Sequence, residues 1–332
     1  MNKKSCYSKM ENITHCENES VQFQLLLYAV TYLIIFIPGL LANSIALWAL
    51  CGYIRKRSKS VIFMINLAFA DFAHVLSLPL RIFYYINHTW PFGHSMCMLC
   101  FYLKYLNMYA SIVFLMCISI QRCVFLKYPF QAKTWKRRYD IIICAFIWII
   151  VGLCCLPFLF MRNDGPAPPN SSLCFADLPT KQINLGSSVA MLTIAELAGF
   201  VIPSCIIFTC AWKTLETLLL KNKVFAGDAE KKRALRMVIM CALVFLFCFT
   251  PYHINFPFYL MTKLNMIMSC PHRKVILTFH PISLCLASLN CCLDPILYYF
   301  MTAEFREQLS RHGSVLTRGR LMSRESGSSI KD

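Results

Sequence analysis

Two cations stand inside apolar stretches long enough to cross a bilayer. Lys104 lies two turns into the run Cys97–Tyr128, and Arg81 lies on the run before it at similar depth. A charge held in hydrocarbon is costly, so its presence calls for a partner, an ion or a ligand. Arg162 and Lys263 stand at the ends of the fourth and sixth runs, His253 and His280 are further donors, and Glu196 is the acid facing this group. Cations converging in a low-dielectric cavity suit a phosphate or carboxylate, with arginine offering a two-pronged contact. Glu196 would pair with Lys104 in the empty cavity or meet the ammonium of a zwitterionic ligand. Blander readings stay open: a buried ion pair or snorkelling for Arg81 and Lys104, interfacial solvation for Arg162 and Lys263, a satisfied hydrogen bond for His280. Tyr84, Tyr102, Tyr105, Tyr109, Tyr252 and Phe256 read as packing that would also suit an acyl chain.

A second polar set lies deeper. Asn43, Asp71, Ser111, Asn290 and Asp294 all fall within apolar runs. A carboxylate at mid-membrane needs a partner, a proton or an ion, and two acids close together would share a proton or hold a cation. Sodium at Asp71 is the one metal this arrangement suggests, and a structural hydrogen-bond network accounts for the same residues. Arg122, near the end of the third run, would either snorkel or meet a partner protein.

The elements that carry these residues follow from composition. Hydrophobic residues make up 58% of the 332 and charged residues 15%. That is too apolar for an ordinary soluble domain. Apolar runs cover about 25–51, 61–87, 97–128, 139–161, 186–217, 234–261 and 274–300. A helix rising ~1.5 Å per residue needs roughly 20 residues to cross the hydrocarbon, so each run is a spanning helix. The expected fold is an all-α membrane protein. Its parts are a tail at 1–24, a seven-helix bundle at 25–301, a short amphipathic eighth helix at 302–312 and a second tail at 313–332. Residues 1–24 show no apolar core of a cleavable leader, so the first helix is expected to act as a signal anchor.

Orientation follows from basic residues in the short loops. Arg55, Lys56, Arg57 and Lys59 follow the first run, Lys127, Lys133, Lys136, Arg137 and Arg138 the third, and Lys221, Lys223, Lys231, Lys232 and Arg233 the fifth. The alternate connections are poorer in them, so the N-terminus is expected outside and the C-terminus in the cytoplasm. The net charge of +17 then faces inner-leaflet lipids and cytosolic partners, and nucleic acid is not an expected partner. Glycosylation sequons at Asn12, Asn18, Asn87 and Asn170 all fall on the expected outer side. Of 19 cysteines, only Cys6, Cys16, Cys97, Cys174 and Cys270 occupy exposed, oxidising positions. Cys97 with Cys174 and Cys16 with Cys270 are the candidate pairs, although spacing alone does not fix connectivity.

Taken together, these landmarks resemble the rhodopsin-like (class A) G-protein-coupled receptors. Asn43, Asp71, Cys97, Arg122, Trp148, Pro203, Cys248-Phe249-Thr250-Pro251 and Asp294-Pro295-Ile296-Leu297-Tyr298 each fall on the helix where that family places its own motif. Phe305-Arg306-Glu307-Gln308-Leu309 resembles its eighth helix. Within the family, Leu78-Pro79-Leu80-Arg81, the stretch Phe101–Tyr109 and Phe249-Thr250-Pro251-Tyr252-His253 are similar to the purinoceptor and lysophospholipid branch, and most of all to its lysophosphatidylserine receptors. The resemblance implies a receptor rather than an enzyme, with no cofactor and a location in the plasma membrane. It also implies an anionic lysophospholipid ligand, and coupling to heterotrimeric G proteins of the twelve/thirteen class. Arrestin and receptor kinases would act on tail residues such as Ser314, Thr317 and Ser323.

The resemblance places Arg81, Lys104, Tyr105, Tyr109, Arg162, Glu196, Tyr252, His253 and Lys263 around the ligand. It places Arg122, Phe249, Pro251, Asp294, Pro295 and Tyr298 along the activation path. Amine receptors of the family carry an aspartate at the position of Lys104, so the lysine inverts the ligand's sign. Gln121 stands where the family has an aspartate before its arginine, which removes a restraining ion pair and predicts raised basal activity. Phe249 replaces the usual tryptophan. Two other functions remain in view: a nucleotide receptor of the purinoceptor type, and a membrane transporter of an organic anion. The chain has no two-half repeat of the transporter kind.

Overall fold

The computed structural model describes residues 3–55, 61–160, 174–175, 185–220, 228–267 and 269–301. Every regular element among them is helical: α1 (Lys3–Arg55), α2 (Ile62–Asn87), α3 (His94–Lys127), α4 (Pro129–Thr134), α5 (Arg137–Phe160), α6 (Leu185–Glu196), α7 (Ile202–Leu220), α8 (Asp228–Val244), α9 (Thr250–Lys263), α10 (Cys270–Ser288) and α11 (Asn290–Met301). They supply seven membrane-length apolar stretches: Val21–Gly52, Ile62–Asn87, His94–Lys127, Arg137–Pro157, Gly186–Thr217, Lys232–Lys263 and Cys270–Tyr298. This is the seven-helix bundle that the apolar runs required. α1 begins at Lys3, well before its apolar part, because no proline or glycine interrupts the chain until Pro38. The expected eighth helix at 302–312, together with Arg162 and Asn170, lies outside the described residues, as do the side chains of Asn12, Cys16 and Asn18.

The bundle encloses a set of polar side chains within an apolar core and turns large apolar side chains outward. Ile142, Phe146, Ile149 and Leu153 of α5 face outward, while Asn43, Asp71, Ser111, Asn290 and Asp294 are fully buried. Lipid, not water, is the medium such a surface suits. α3 is the axis, packing against α2, α5, α7 and α8. Side-chain bonds pin α5 to its neighbours, among them Trp148 Nε1 donating to Asn66 Oδ1 of α2 (2.8 Å) and Tyr102 Oη of α3 donating to the Gly152 carbonyl (2.9 Å).

Two spans contain a widened, π-type turn, at Leu197–Val201 between α6 and α7 and at Phe245–Phe249 between α8 and α9. Each lies just before a proline, Pro203 and Pro251. A proline ring clashes with the carbonyl four residues earlier and leaves it without its donor. Those residues, Gly199 and Phe247, both sit inside the widened turns, where the extra residue opens the space the ring needs. The seventh span breaks at Leu289, between α10 and α11, so that Asn290 and Asp294 open a fresh helix.

A disulfide joins Cys97 at the start of α3 to Cys174, with Cα atoms 5.9 Å apart. It seats Phe175 among Tyr84, Tyr85 and Trp90, at ring separations of 5.4, 5.7 and 5.3 Å. Phe175 takes the left-handed backbone at φ 55, which costs a non-glycine residue about 1–2 kcal/mol, so this packing must hold it there. Replacing Cys97 by serine is expected to lower stability by about 3 kcal/mol and to free Phe175. Thermal unfolding of the purified variant checks this, and an unchanged midpoint would refute it. Cys270 is also disulfide-bonded.

Candidate functional site

Toward the disulfide end, α2 and α3 bring Arg81 and Lys104 into the bundle interior, where they are 1% and 9% exposed. Arg81 Nη2 donates to the Cys100 carbonyl of α3, and its guanidinium carbon lies 4.6 Å from the centre of the Phe175 ring. Its Nε is buried without a hydrogen-bond partner. Lys104 Nζ lies 4.9 Å from the centre of the Tyr28 ring of α1. Both cations are thus held against aromatic faces, an arrangement that compensates part of their lost hydration. His74 of α2 is within electrostatic reach of both, fully buried, and neither of its ring nitrogens has a hydrogen-bond partner. Sequence reasoning missed His74, although helical spacing puts Asp71, His74, Leu78 and Arg81 on one face.

Aromatic side chains line the rest. Tyr105 and Tyr109 continue down α3, and Tyr252 and His253 face them from α9. The His253 ring stacks on Phe200 at 4.7 Å, stands edge-on to Tyr109 at 6.0 Å, and has Nδ1 2.9 Å from the Phe249 carbonyl. His280 of α10 stacks on Tyr259 at 3.7 Å, with its Nδ1 3.3 Å from Asn255 Nδ2. His280 therefore has the partners that a structural role requires, whereas His253 keeps Nε2 buried without a hydrogen-bond partner. Glu196 closes α6 half-buried, with Oε1 lacking a hydrogen-bond partner, whereas the Lys104 ammonium is directed at α1. Lys263 is exposed at the end of α9, 5.9 Å from the Tyr259 ring centre, and stands outside the group.

Gly199 marks where α3 meets the first widened turn. A Cβ there would lie 2.5 Å from Tyr109 Cε1. Gly199→Ala is therefore expected to push the Tyr109 ring off His253, at about 1–3 kcal/mol of overpacking. Thermal unfolding should show a correspondingly lower midpoint. An unchanged midpoint would mean that the ring swings aside freely.

Beneath the cations runs a column of amides and carboxyls. Asp71 Oδ1 accepts from Asn107 Nδ2 (2.8 Å) and Asn290 Nδ2 (3.3 Å), and Asn290 also donates to Ser111 Oγ (2.9 Å). Asp71 and Asp294 are placed to share a side-chain hydrogen bond once one of them carries a proton. Asp71 Oδ2 and both Asp294 oxygens otherwise lack donors. That oxygen-only surplus suits a shared proton or a small hard cation such as sodium. Asn43 stands apart from the cluster assigned to it: its amide donates to the Cys291 and Gly39 carbonyls (2.6 and 2.9 Å), tying α1 to α11. Asn107 takes its place, one turn before Ser111. Among the described residues no group of three or more histidines, cysteines and acids could hold a metal ion.

The column leads to Phe249 and Tyr298, both fully buried, and to Arg122 near the far end of α3, within electrostatic reach of Cys241 on α8. Pro251 opens α9, just past the widened turn that holds Phe249, and Pro295 lies inside α11, which carries Tyr298. Gln121 has a partner that its sequence position did not disclose: its Nε2 donates to Asp140 Oδ2 of α5 (3.4 Å). Trp135 Nε1 donates to the other carboxyl oxygen (2.9 Å). Asn87, at the end of α2, is exposed, with its amide on the Phe83 carbonyl (2.9 Å).

This arrangement has counterparts in known proteins. The model of the 7 transmembrane receptor (rhodopsin family) matches residues 42–298. The chain is 62% identical over 316 residues to the human protein named as purinoceptor 10, covering 95% of this chain and 93% of that one. It is 52% identical over 295 residues to the mouse "Probable G-protein coupled receptor 174", covering 89% and 88%. It is 35% identical over 301 residues to the human "Lysophosphatidic acid receptor 6", covering 90% and 87%. The buried cations, the widened turns before Pro203 and Pro251 and the arginine-bearing third helix are therefore parts of a receptor rather than of an enzyme or a transporter, and the chain belongs to the rhodopsin family of seven-transmembrane receptors.

Proposed function

We propose that this receptor responds to an anionic lysophospholipid, of which lysophosphatidylserine is the first choice. It would signal through heterotrimeric G proteins of the twelve/thirteen class. The observation that carries the proposal is the placement of Arg81 and Lys104 inside the bundle, each against an aromatic ring, beside tyrosines that suit an acyl chain. A phosphate would take the guanidinium fork of Arg81, and Lys104 would add a point charge. Glu196 is the acid available to the ammonium of a serine headgroup. Arg162 and Lys263 would steer the headgroup from the rim rather than hold it. The names of two relatives favour different ligands, a lysophosphatidic acid in one case and a purine nucleotide in the other. The tyrosine lining favours the lipid.

In this reading the N-terminus is extracellular and glycosylated at Asn12, Asn18, Asn87 and Asn170, Cys16 pairs with Cys270, and the Arg122 end is cytoplasmic. Asp71 and Asp294 hold a proton or a sodium ion in the resting state. Residues 302–312 form the amphipathic eighth helix, and the tail beyond serves receptor kinases and arrestin. Ligand binding shifts the population toward a bundle opened beside Arg122, with Pro203, Pro251 and Pro295 as bending points.

The test is G-protein activation in cells expressing the chain, challenged with lysophosphatidylserine, lysophosphatidic acid and a nucleotide panel. A response to the lysolipid that falls as its acyl chain is shortened supports the proposal. A response to nucleotides alone overturns the ligand while keeping the cavity.

A further inference from the structure

A second amphipathic groove lies outside the bundle at the Arg122 end, between α3 and α7. Its wall on α3 runs from Ile120 through Cys123 and Val124 to Lys127, ending at Tyr128. Its wall on α7 runs from Cys205 through Ile206, Thr209 and Cys210 to Lys213. Third and fifth spans run the same way through a membrane, so both lysines mark the same end. From the apolar head of each wall to its lysine is about two turns, roughly 10 Å at 1.5 Å per residue.

The floor is sealed. The Cys123 and Cys210 thiols are within hydrogen-bond reach of each other and pack with Val238 of α8. Lys127 and Lys213 are exposed at the mouth, and Lys127 Nζ lies 5.5 Å from the Tyr128 ring centre. An apolar slot opening to the acyl region, with two cations and a phenol at its headgroup end, matches the polarity of one molecule class. We propose that it binds an anionic glycerophospholipid, its acyl chain along the slot and its phosphate between Lys127 and Lys213, bridging α3 to α7. The orientation proposed above decides only which leaflet supplies that lipid, namely the inner one, which is rich in anionic headgroups.

Lysines at a membrane surface also snorkel with no bound partner, so the test must separate attraction from docking. The full chain is reconstituted in nanodiscs of phosphatidylcholine with phosphatidylglycerol. Its headgroup lacks the serine that the inner cavity would read, and both leaflets are alike, so neither ligand nor orientation enters the result. Retained lipid is counted by native mass spectrometry. Lys127→Gln and Lys213→Gln are each expected to weaken phosphatidylglycerol retention about fivefold, and the pair together about thirtyfold. Cys205→Trp fills the slot while leaving both lysines, and it is expected to weaken retention as much as the double variant does. Thermal midpoints equal to wild type accompany each result. Full retention in the double lysine variant overturns the proposal. So does full retention with Cys205→Trp, which would leave only snorkelling. Competition by soluble glycerol phosphate as strong as by the lipid would show a free-anion site and overturn it too.

Discussion

Arg81→Gln is expected to cost the receptor at least about a hundredfold in agonist potency, with its fold intact. The size follows from the chemistry of the lost contact. Two charge-assisted hydrogen bonds to a phosphate contribute about 1.5–3 kcal/mol each, and each 1.4 kcal/mol is tenfold. Glutamine is the informative replacement because Arg81 does two jobs. Its Nη2 also donates to the Cys100 carbonyl, and its guanidinium covers Phe175, so alanine would orphan a buried carbonyl and uncover a ring. A glutamine amide still offers a donor toward Cys100 but brings no charge. Arg81→Lys should fall between the two, since it keeps the charge and loses the fork. Lys104→Gln should weaken potency by a smaller factor, because a lysine gives the phosphate only a point charge. Dose–response curves for G-protein activation, at matched surface expression and matched thermal midpoint, decide the matter. Unchanged potency in Arg81→Gln would make Arg81 a structural tie between α2 and α3 and remove the main support for an anionic ligand.

The placement of Arg81 and Lys104 was legible in the sequence because a charge in an apolar run breaks a strong rule, and any break is visible without coordinates. The seven spans and the prolines inside them were legible for a similar reason. What could not be read is what those charges touch. Lys104 lies over the Tyr28 ring across the bundle, a contact that sequence reasoning, which offered Glu196 either to Lys104 or to a ligand's ammonium, did not name. Asn43 bonds backbone carbonyls, groups that carry no identity in a sequence, while Asn107 reaches Asp71 through a choice of rotamer. His74 broke no rule: a histidine in an apolar run is ordinary until its surroundings show both ring nitrogens without partners. Neighbours far apart in the chain, not residue types, supply the information that was absent.

Gln121 illustrates this most fully, and it yields the second large expected effect. The family resemblance implies only that a glutamine before Arg122 lacks the charge for that family's restraining ion pair, and hence that basal activity is raised. The structure gives the glutamine a different restraint. Asp140 of α5 is fully buried and accepts from Gln121 Nε2 of α3 and from Trp135 Nε1 of the intervening segment. One carboxylate therefore fastens α3 to α5 beside Arg122. Asp140→Ala removes the acceptor from two shielded donors, at about 1–3 kcal/mol each, so a fall in stability of roughly 3 kcal/mol is expected. Because the tie sits beside the residue proposed to meet the G protein, its loss should also release the Arg122 end of α3 and raise agonist-free signalling severalfold.

Asp140→Asn separates the two effects. Its amide oxygen still accepts from Trp135, and Gln121 can turn its own oxygen to the new amide donor, so both stability and basal signalling should stay near wild type. Gln121→Ala removes only one side of the tie and should give part of the rise. Combined with Asp140→Ala it should add little further, because the two substitutions break one bond. Agonist-free nucleotide exchange on a purified G protein, measured beside thermal unfolding for the four variants, reads both consequences at once. Lower stability with basal exchange equal to wild type would make the tie a strut with no bearing on activation. Raised exchange in Asp140→Ala that Asp140→Asn does not share would make Asp140 the restraint on the Arg122 end of α3.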